Sequence, residues 1–142
     1  MKYRMATVSD CPLLAEFNHQ LIQDEGHRNT MNLAELEQRL RGWLAAEYAG
    51  VLFTNAGETV AYALYRELPQ EVYLRHLFVA RHRRRQGFGR GAMEILRSKI
   101  WPAHKRLSLE VLAQNTAALA FYHAMGYRDY SLKLEMPPAR PA

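Results

Sequence analysis

The sequence predicts an α/β fold, one mixed sheet of six to seven strands with about four helices on its faces. Three observations predict it. Short runs rich in β-branched and aromatic residues recur, among them Val51-Leu52-Phe53-Thr54, Thr59–Leu64 and Val72–Val79. Apolar residues at helical spacing recur before and after them, first as Leu13, Leu14, Phe17, Leu21 and Ile22. The two kinds of segment alternate along the chain rather than collecting at separate ends, which builds one layered sheet.

The first strand is Tyr3 to Thr7, and Asp10 caps a helix carrying the stripe just named. Asn32 with Glu35 forms a capping pair for a second helix, whose Leu33, Leu36, Leu40, Trp43 and Leu44 make an apolar face. Strands two and three flank Asn55-Ala56-Gly57-Glu58, a hairpin turn. The fourth strand, Val72 to Val79, leads through a glycine-containing loop into a third helix that Pro102 closes. Leu107 to Leu112 is the fifth strand, Thr116 to Met125 a fourth helix stopped by Gly126, and Tyr130 to Met136 a last strand. Residues 1–136 are read as a single domain, and the proline-rich end 137–142 as a disordered tail. Arg128 to Met136 has room for about one strand and a stub at roughly 3.3 Å per residue. That shortness leaves the substrate side open or completed by a second subunit.

At 142 residues, 49% hydrophobic and 23% charged, the chain has material for one core. No segment approaches the length of a membrane span and no secretory signal opens the chain, so cytoplasmic residence is expected. The single cysteine, Cys11, cannot form an internal disulfide, and lacks the companions of a nucleophile pattern. No metal-ligand pattern is read. The net charge of +5 and the run Arg81-His82-Arg83-Arg84-Arg85 raise a nucleic-acid reading. No aromatic residue interleaves that run for base stacking, and it abuts a feature that explains it better.

That feature is Gly87-Phe88-Gly89 after the fourth strand. Glycines let backbone N–H groups crowd an anion, and the following helix points its positive end at the same place. A Walker loop needs Lys-Ser or Lys-Thr, and Arg90-Gly91 stands there instead. Gly87 to Ala92 also reads as a dinucleotide fingerprint with Glu110 downstream. The basic stretch between strand and glycine is wrong for that fold, and too little chain remains for its βαβαβ array. An Arg-x-x-Gly-x-Gly pyrophosphate loop remains, with arginines that can grip phosphate.

Here the sequence resembles the GCN5-related N-acetyltransferase (GNAT) superfamily, whose signature Arg/Gln-x-x-Gly-x-Gly/Ala matches Arg84 to Gly89. A second block is similar in order and spacing: Leu109-Glu110-Val111, then Asn115, Ala118, Phe121-Tyr122 and Met125-Gly126-Tyr127. It is like the segment of the branch that acetylates ribosomal-protein N-termini. The resemblance runs from Arg4 to Met136. It implies a GNAT-like fold and acetyl-CoA as cosubstrate. It also implies direct acyl transfer to a primary amine of a small molecule or peptide in a ternary complex. By the same resemblance Arg84, Arg85, Gln86, Gly87, Phe88, Gly89 and Arg90 hold the pyrophosphate. The main chain of Leu77, Phe78 and Val79 receives the pantetheine arm, which Asn115 also contacts; at a helix start, Asn115 serves equally as an N-cap.

An aliphatic ammonium has a pKa of about 10, so a base must take its proton before attack. The resemblance gives that role to Glu110, which otherwise reads as a strand carboxylate paired with an arginine. The leaving thiolate, with a pKa of about 8.5, is helped by an acid, and Tyr122 stands where the family places one. A helix tyrosine also reads as packing. His76 is the fallback base or a core histidine. The polar segment 23–29 is where the family borders its acceptor; Asp24, Glu25, His27 and Arg28, with Arg66 or Arg75, could hold an amino-acid-like acceptor. The same letters suit a solvated loop. A homodimer is open. The alternatives are an acyl-CoA-binding module without turnover and a basic nucleic-acid binder.

Overall fold

The computed structural model describes residues 1–142, which fall into two compact units, Met1–Leu112 and Ala113–Ala142. The first is built on a hairpin. Ala56 and Gly57 take left-handed φ of 52° and 82°, the two-residue turn whose twist matches its strands, and it joins β2 (Tyr48–Asn55) to β3 (Glu58–Glu67). β1 (Lys2–Met5), β4 (Glu71–Val79) and β5 (Arg106–Leu109) complete a sheet ordered β1-β2-β3-β4-β5. Its first four strands are antiparallel and β4 with β5 is parallel, so the sheet is mixed.

One face of the sheet is covered by α1 (Cys11–Glu25) and α2 (Leu33–Ala45). Leu14, Leu36, Leu40, Leu52, Tyr62, Leu64 and Phe78 meet there, each at most 1% exposed. Each such side chain contributes roughly 1.5–3 kcal/mol by leaving water. α3 (Phe88–Ile95) supplies buried Ala92 and Met93 and runs on into a π-helical turn, Leu96–Ile100, whose Leu96 is also buried. Trp101 then packs edge-on to Tyr65.

The second helix starts where the sequence places it. Asn32 Oδ1 accepts the Glu35 N–H at 2.9 Å and Glu35 Oε1 accepts the Asn32 N–H at 3.0 Å, a reciprocal box. Asp10 does otherwise than expected. Its side chain makes no cap to α1; it accepts from Arg4 at 2.7 and 2.9 Å and from the Thr7 N–H at 2.8 Å. The Arg4 pairing, strongest of these influences, holds its carboxyl at about 2. Cys11 is buried, and burial pushes its thiol up.

In the second unit, α4 (Thr116–Ala124) is capped by Asn115, whose Oδ1 accepts the Ala118 N–H at 3.2 Å, and Gly126 leaves the helix with φ 105°. The expected last strand does not form, so the sheet has five strands rather than six or seven. The alternation of Tyr130, Leu132, Leu134 and Met136 is a strand pattern, but Pro137-Pro138 cuts the chain before a second strand could pair with it. Those four side chains stand 98, 82, 86 and 92% exposed. No helix is long and apolar enough to cross a membrane.

Candidate functional site

β4 and β5 are in register from Glu71↔Arg106 to Leu74↔Leu109, and there the ladder stops. β4 continues to Val79, still paired with β3 through Ala63↔Leu77, Tyr62↔Phe78 and Ala61↔Val79. On its other side, the polar groups of that stretch that face away from β3 have no strand beside them from β5. The fifth strand was expected to reach Leu112; it ends at Leu109, which makes Glu110 the first residue past the strand, at the mouth of the opening.

Glu110 is exposed and its Oε1 accepts a hydrogen bond from the Tyr73 hydroxyl at 3.0 Å. Burial, with the charge of Glu110 added, pushes the Tyr73 phenol up to about 12, so it stays protonated and donates.

The register of β3 on β4 jumps from Leu64↔His76 to Tyr65↔Leu74, so Arg75 is an extra residue, a β-bulge. A bulge re-aims its side chains, and here Arg75 and His76 both reach the ring of Trp43 on α2, at 4.5 and 5.9 Å. His76 is buried and Nδ1 lies 3.1 Å from the Tyr62 hydroxyl. Burial, then the charges of Arg39 and Arg75, bring its pKa down to about 3, so the ring is neutral. Arg39 lies 4.4 Å from the same indole and donates to Asn18 Oδ1 at 3.1 Å.

At the far end of β4 the basic run is laced to acids. His82 and Arg83 pair with Glu58, while Arg81 and Arg84 both reach Asp24 near the end of α1, at 2.8 and 2.6 Å. Burial pushes the Asp24 carboxyl up, the two arginines pull it down, and the net shift is downward. Arg84 also donates to the Val79 carbonyl at 3.0 Å and stacks 5.1 Å from the Phe78 ring. Arg85 and Gly87 take φ of 64° and 83°, folding the loop so that α3 begins at Phe88. Since the Gly91 N–H makes the first bond back to the Gly87 carbonyl at 2.9 Å, the N–H groups of Phe88, Gly89 and Arg90 have no intrahelical acceptor. Arg85, Gln86 and Arg90 are exposed around them. Backbone donors, a helix N-terminus and cations on one turn are an arrangement suited to an anion.

Among the acceptor candidates, Glu25 is half-buried, and burial followed by Asp24 raises its carboxyl. His27 Nδ1 accepts the Asn29 N–H at 3.0 Å, and Arg28 is exposed. In the second unit Tyr122 is half-buried, with its ring edge-on to Phe121 at 5.1 Å and Tyr127 at 5.5 Å. Sequence reasoning missed Tyr73 as the partner of Glu110, Asp24 as the partner of Arg84, and the Arg39–Trp43 pair. Only the last had a local signal, a cation one helical turn before an indole.

The profile of the acetyltransferase (GNAT) domain matches residues 13–136. Ribosomal protein bS18-alanine N-acetyltransferase of Escherichia coli is 30% identical over 95 residues, which are 64% of this chain and 62% of that protein. The chain thus spans less than two thirds of the curated relatives it matches. A mutant of the BH1408 protein of Bacillus halodurans superimposes with TM-score 0.78 at 27% identity, over 97% of this chain and 99% of that one. A predicted acetyltransferase of Clostridium acetobutylicum, solved with acetyl-CoA, does so with TM-score 0.75 at 18% identity, over 96% and 95%. The opening between β4 and β5, the glycine loop that follows and the length of the profile match agree: the chain belongs to the GNAT acetyltransferase family.

Proposed function

We propose that this chain is an acetyl-CoA-dependent N-acetyltransferase, a single domain over residues 1–136 working in the cytoplasm, that acetylates a primary amine by direct attack. The observation that carries the reading is the parting of β4 from β5 after Leu74 and Leu109, with Glu110 at its mouth and the Gly87 loop at the end of the longer strand. Acetyl-CoA supplies the activated acyl group. The N–H groups of Phe88 to Arg90, with Arg84, Arg85 and Gln86, bind its pyrophosphate. The main chain of Leu77 to Val79 hydrogen-bonds the pantetheine arm as an added strand would. Asn115 adds a contact to that arm through its amide Nδ2, since capping α4 uses only Oδ1.

In the reaction Glu110, held by the Tyr73 hydroxyl, accepts a proton from the acceptor ammonium through a water. The amine nitrogen then bonds to the thioester carbon as the carbon–sulfur bond breaks. Tyr122 gives its proton to the departing thiolate, the nitrogen sheds its second proton to solvent as it becomes an amide, and Tyr122 is reprotonated from solvent. Main-chain donors of β4 polarise the carbonyl, a preorganised stabilisation of developing charge. His76, neutral and bonded to Tyr62, is left out of the proton path.

A second copy of the chain forms part of the proposal, because Tyr130, Leu132, Leu134 and Met136 alternate as a strand and stand almost fully exposed. Light scattering is expected to give a dimer that Leu132→Lys with Leu134→Lys converts to monomer.

The activity test is thiol release from acetyl-CoA over an amine panel, alongside thermal stabilisation by acetyl-CoA. Stabilisation with no turnover on any amine would favour the binding-module reading. Affinity for nucleic acid that falls steeply with salt, with no response to acetyl-CoA, would overturn the proposal.

A further inference from the structure

Two guanidinium groups on the face covered by α1 and α2 lack a counter-charge. Several other arginines have an acid beside them: Arg4 takes Asp10, Arg41 on α2 takes Glu37, Arg81 and Arg84 share Asp24, and Arg83 takes Glu58. Arg39 and Arg75 join no ion pair. They lie 4.4 and 4.5 Å from the centroid of one indole, Trp43, and their only polar side-chain partners are neutral: Asn18 for Arg39, and the Tyr48 hydroxyl at 3.4 Å for Arg75.

Two buried donors there also have no acceptor, Arg39 Nε and Asn18 Nδ2, and Asn18 is 1% exposed. Arginine offers only donors, so the Asn18 amide oxygen must face it, which leaves the amide nitrogen as the orphan. Each orphaned donor costs roughly 1–3 kcal/mol. Positive charge, unsatisfied donors and a flat clamp converge on one place, and an oxyanion is the group that answers all three.

We propose that Arg39 and Arg75, held on the Trp43 indole, bind a carboxylate of the acceptor, so that the substrate is a small amine bearing a carboxylate, an amino-acid-like molecule. The inference rests on the acetyl-transfer reading and narrows it. Arg39 also lines an open depression of about 470 Å³ with Met31, Ala34, Glu35 and Gln38, so its side chain is reached from the α2 surface. Arg75 is two residues along β4 from Tyr73, the partner of Glu110, so the indole cluster and the proposed base stand on the same stretch of strand. The two cations repel one another, and the charge of Arg75 acts with burial to lower the Arg39 pKa. A bound carboxylate relieves that repulsion. His76 contributes a neutral ring to the wall.

Two measurements test this on the whole chain. Calorimetry compares N-acetyl amino acids with their carboxamides, which needs no turnover; thiol release compares the parent amino acids, their carboxamides and the matching aminoalkylphosphonates. In the wild type the acids should bind about tenfold or more tightly than the amides, the worth of one charge-assisted contact. In Arg75→Met that gap should close, and in Arg39→Met too where circular dichroism shows a native fold. Equal binding of acid and amide by the wild type, or a gap undiminished in folded Arg75→Met, would overturn the inference. Preference for the phosphonates would overturn the carboxylate assignment. Turnover with no acid preference sinks this inference alone, whereas acid-selective binding without turnover on any amine sinks the acetyl-transfer reading and leaves the anion site standing.

Discussion

The Tyr73 hydroxyl donates a 3.0 Å hydrogen bond to the Glu110 carboxylate across 37 positions of sequence, and it does so just where the two parallel strands separate. One contact fixes the carboxylate that the proposed mechanism uses and ties the end of β5 to β4. Removing the carboxylate and removing its anchor should therefore differ in degree. Glu110→Gln is expected to lower kcat by about 10²–10⁴, the usual worth of a general base. Tyr73→Phe should lower it by about tenfold, with acetyl-CoA binding unchanged in both, measured by steady-state thiol release and calorimetry. A Tyr73→Phe loss equal to that of Glu110→Gln would mean that the phenol itself takes part in the chemistry.

Asp24 holds Arg81 and Arg84 together, and Arg84 is a proposed pyrophosphate ligand. The carboxylate competes with the phosphate for one guanidinium. Asp24→Asn should tighten coenzyme A binding by about threefold to tenfold, and Arg84→Gln should weaken it by a similar factor, as expected for single exposed charge pairs. Calorimetric titration at fixed ionic strength reads both. Weaker binding in Asp24→Asn would show that the acid positions Arg84 rather than competing for it.

Gly87 sits at φ 83° with nothing within 4 Å of the position of an added Cβ. Its need is conformational rather than steric. Gly87→Ala should cost about 1–2 kcal/mol from the left-handed backbone alone. It should also weaken coenzyme A if the loop relaxes to negative φ. Urea unfolding measures the first effect and thermal stabilisation by acetyl-CoA the second; an unchanged midpoint and unchanged stabilisation would contradict the assignment.

His76 is neutral in the folded chain down to about pH 3, whereas unfolded histidine titrates near 6.5. Between those values the unfolded state binds a proton that the native state does not, so stability falls as pH falls, by at most about 1.4 kcal/mol per pH unit. Above pH 6.5 both states are neutral and the contribution is flat. His76→Gln should remove that slope in urea titrations run from pH 7 to pH 4. A slope unaltered by the substitution would assign the acid sensitivity to other groups, among them Asp10.

The parts of this fold legible in sequence were those whose signals are local. The Asn32–Glu35 box, the Ala56-Gly57 turn and the glycine loop each lie within a few residues, and each forms as read. Where pairing across the chain decides, less was legible. Leu107 to Leu112 has one continuous strand pattern, yet β5 and its ladder to β4 end at Leu109 while β4 runs on to Val79, a matter of pairing between two strands. Tyr130 to Met136 has a good alternation with no partner to make it a strand. Glu110 and the Gly87 loop were nameable from motif spacing; the Tyr73–Glu110, Asp24–Arg84 and Arg39–Asn18 contacts were not, because the partners lie 37, 60 and 21 positions apart.

Arg75 is one residue more than β3 needs. Deleting it would let the two strands run in step, with every rung of the ladder filled. The repaired sheet would be the more regular object, but the guanidinium would be gone from the indole and His76 would have no reason to turn toward it. A shorter β4 would thus trade chemistry for order, and screens that select variants of this chain for heat resistance alone should be expected to drift that way.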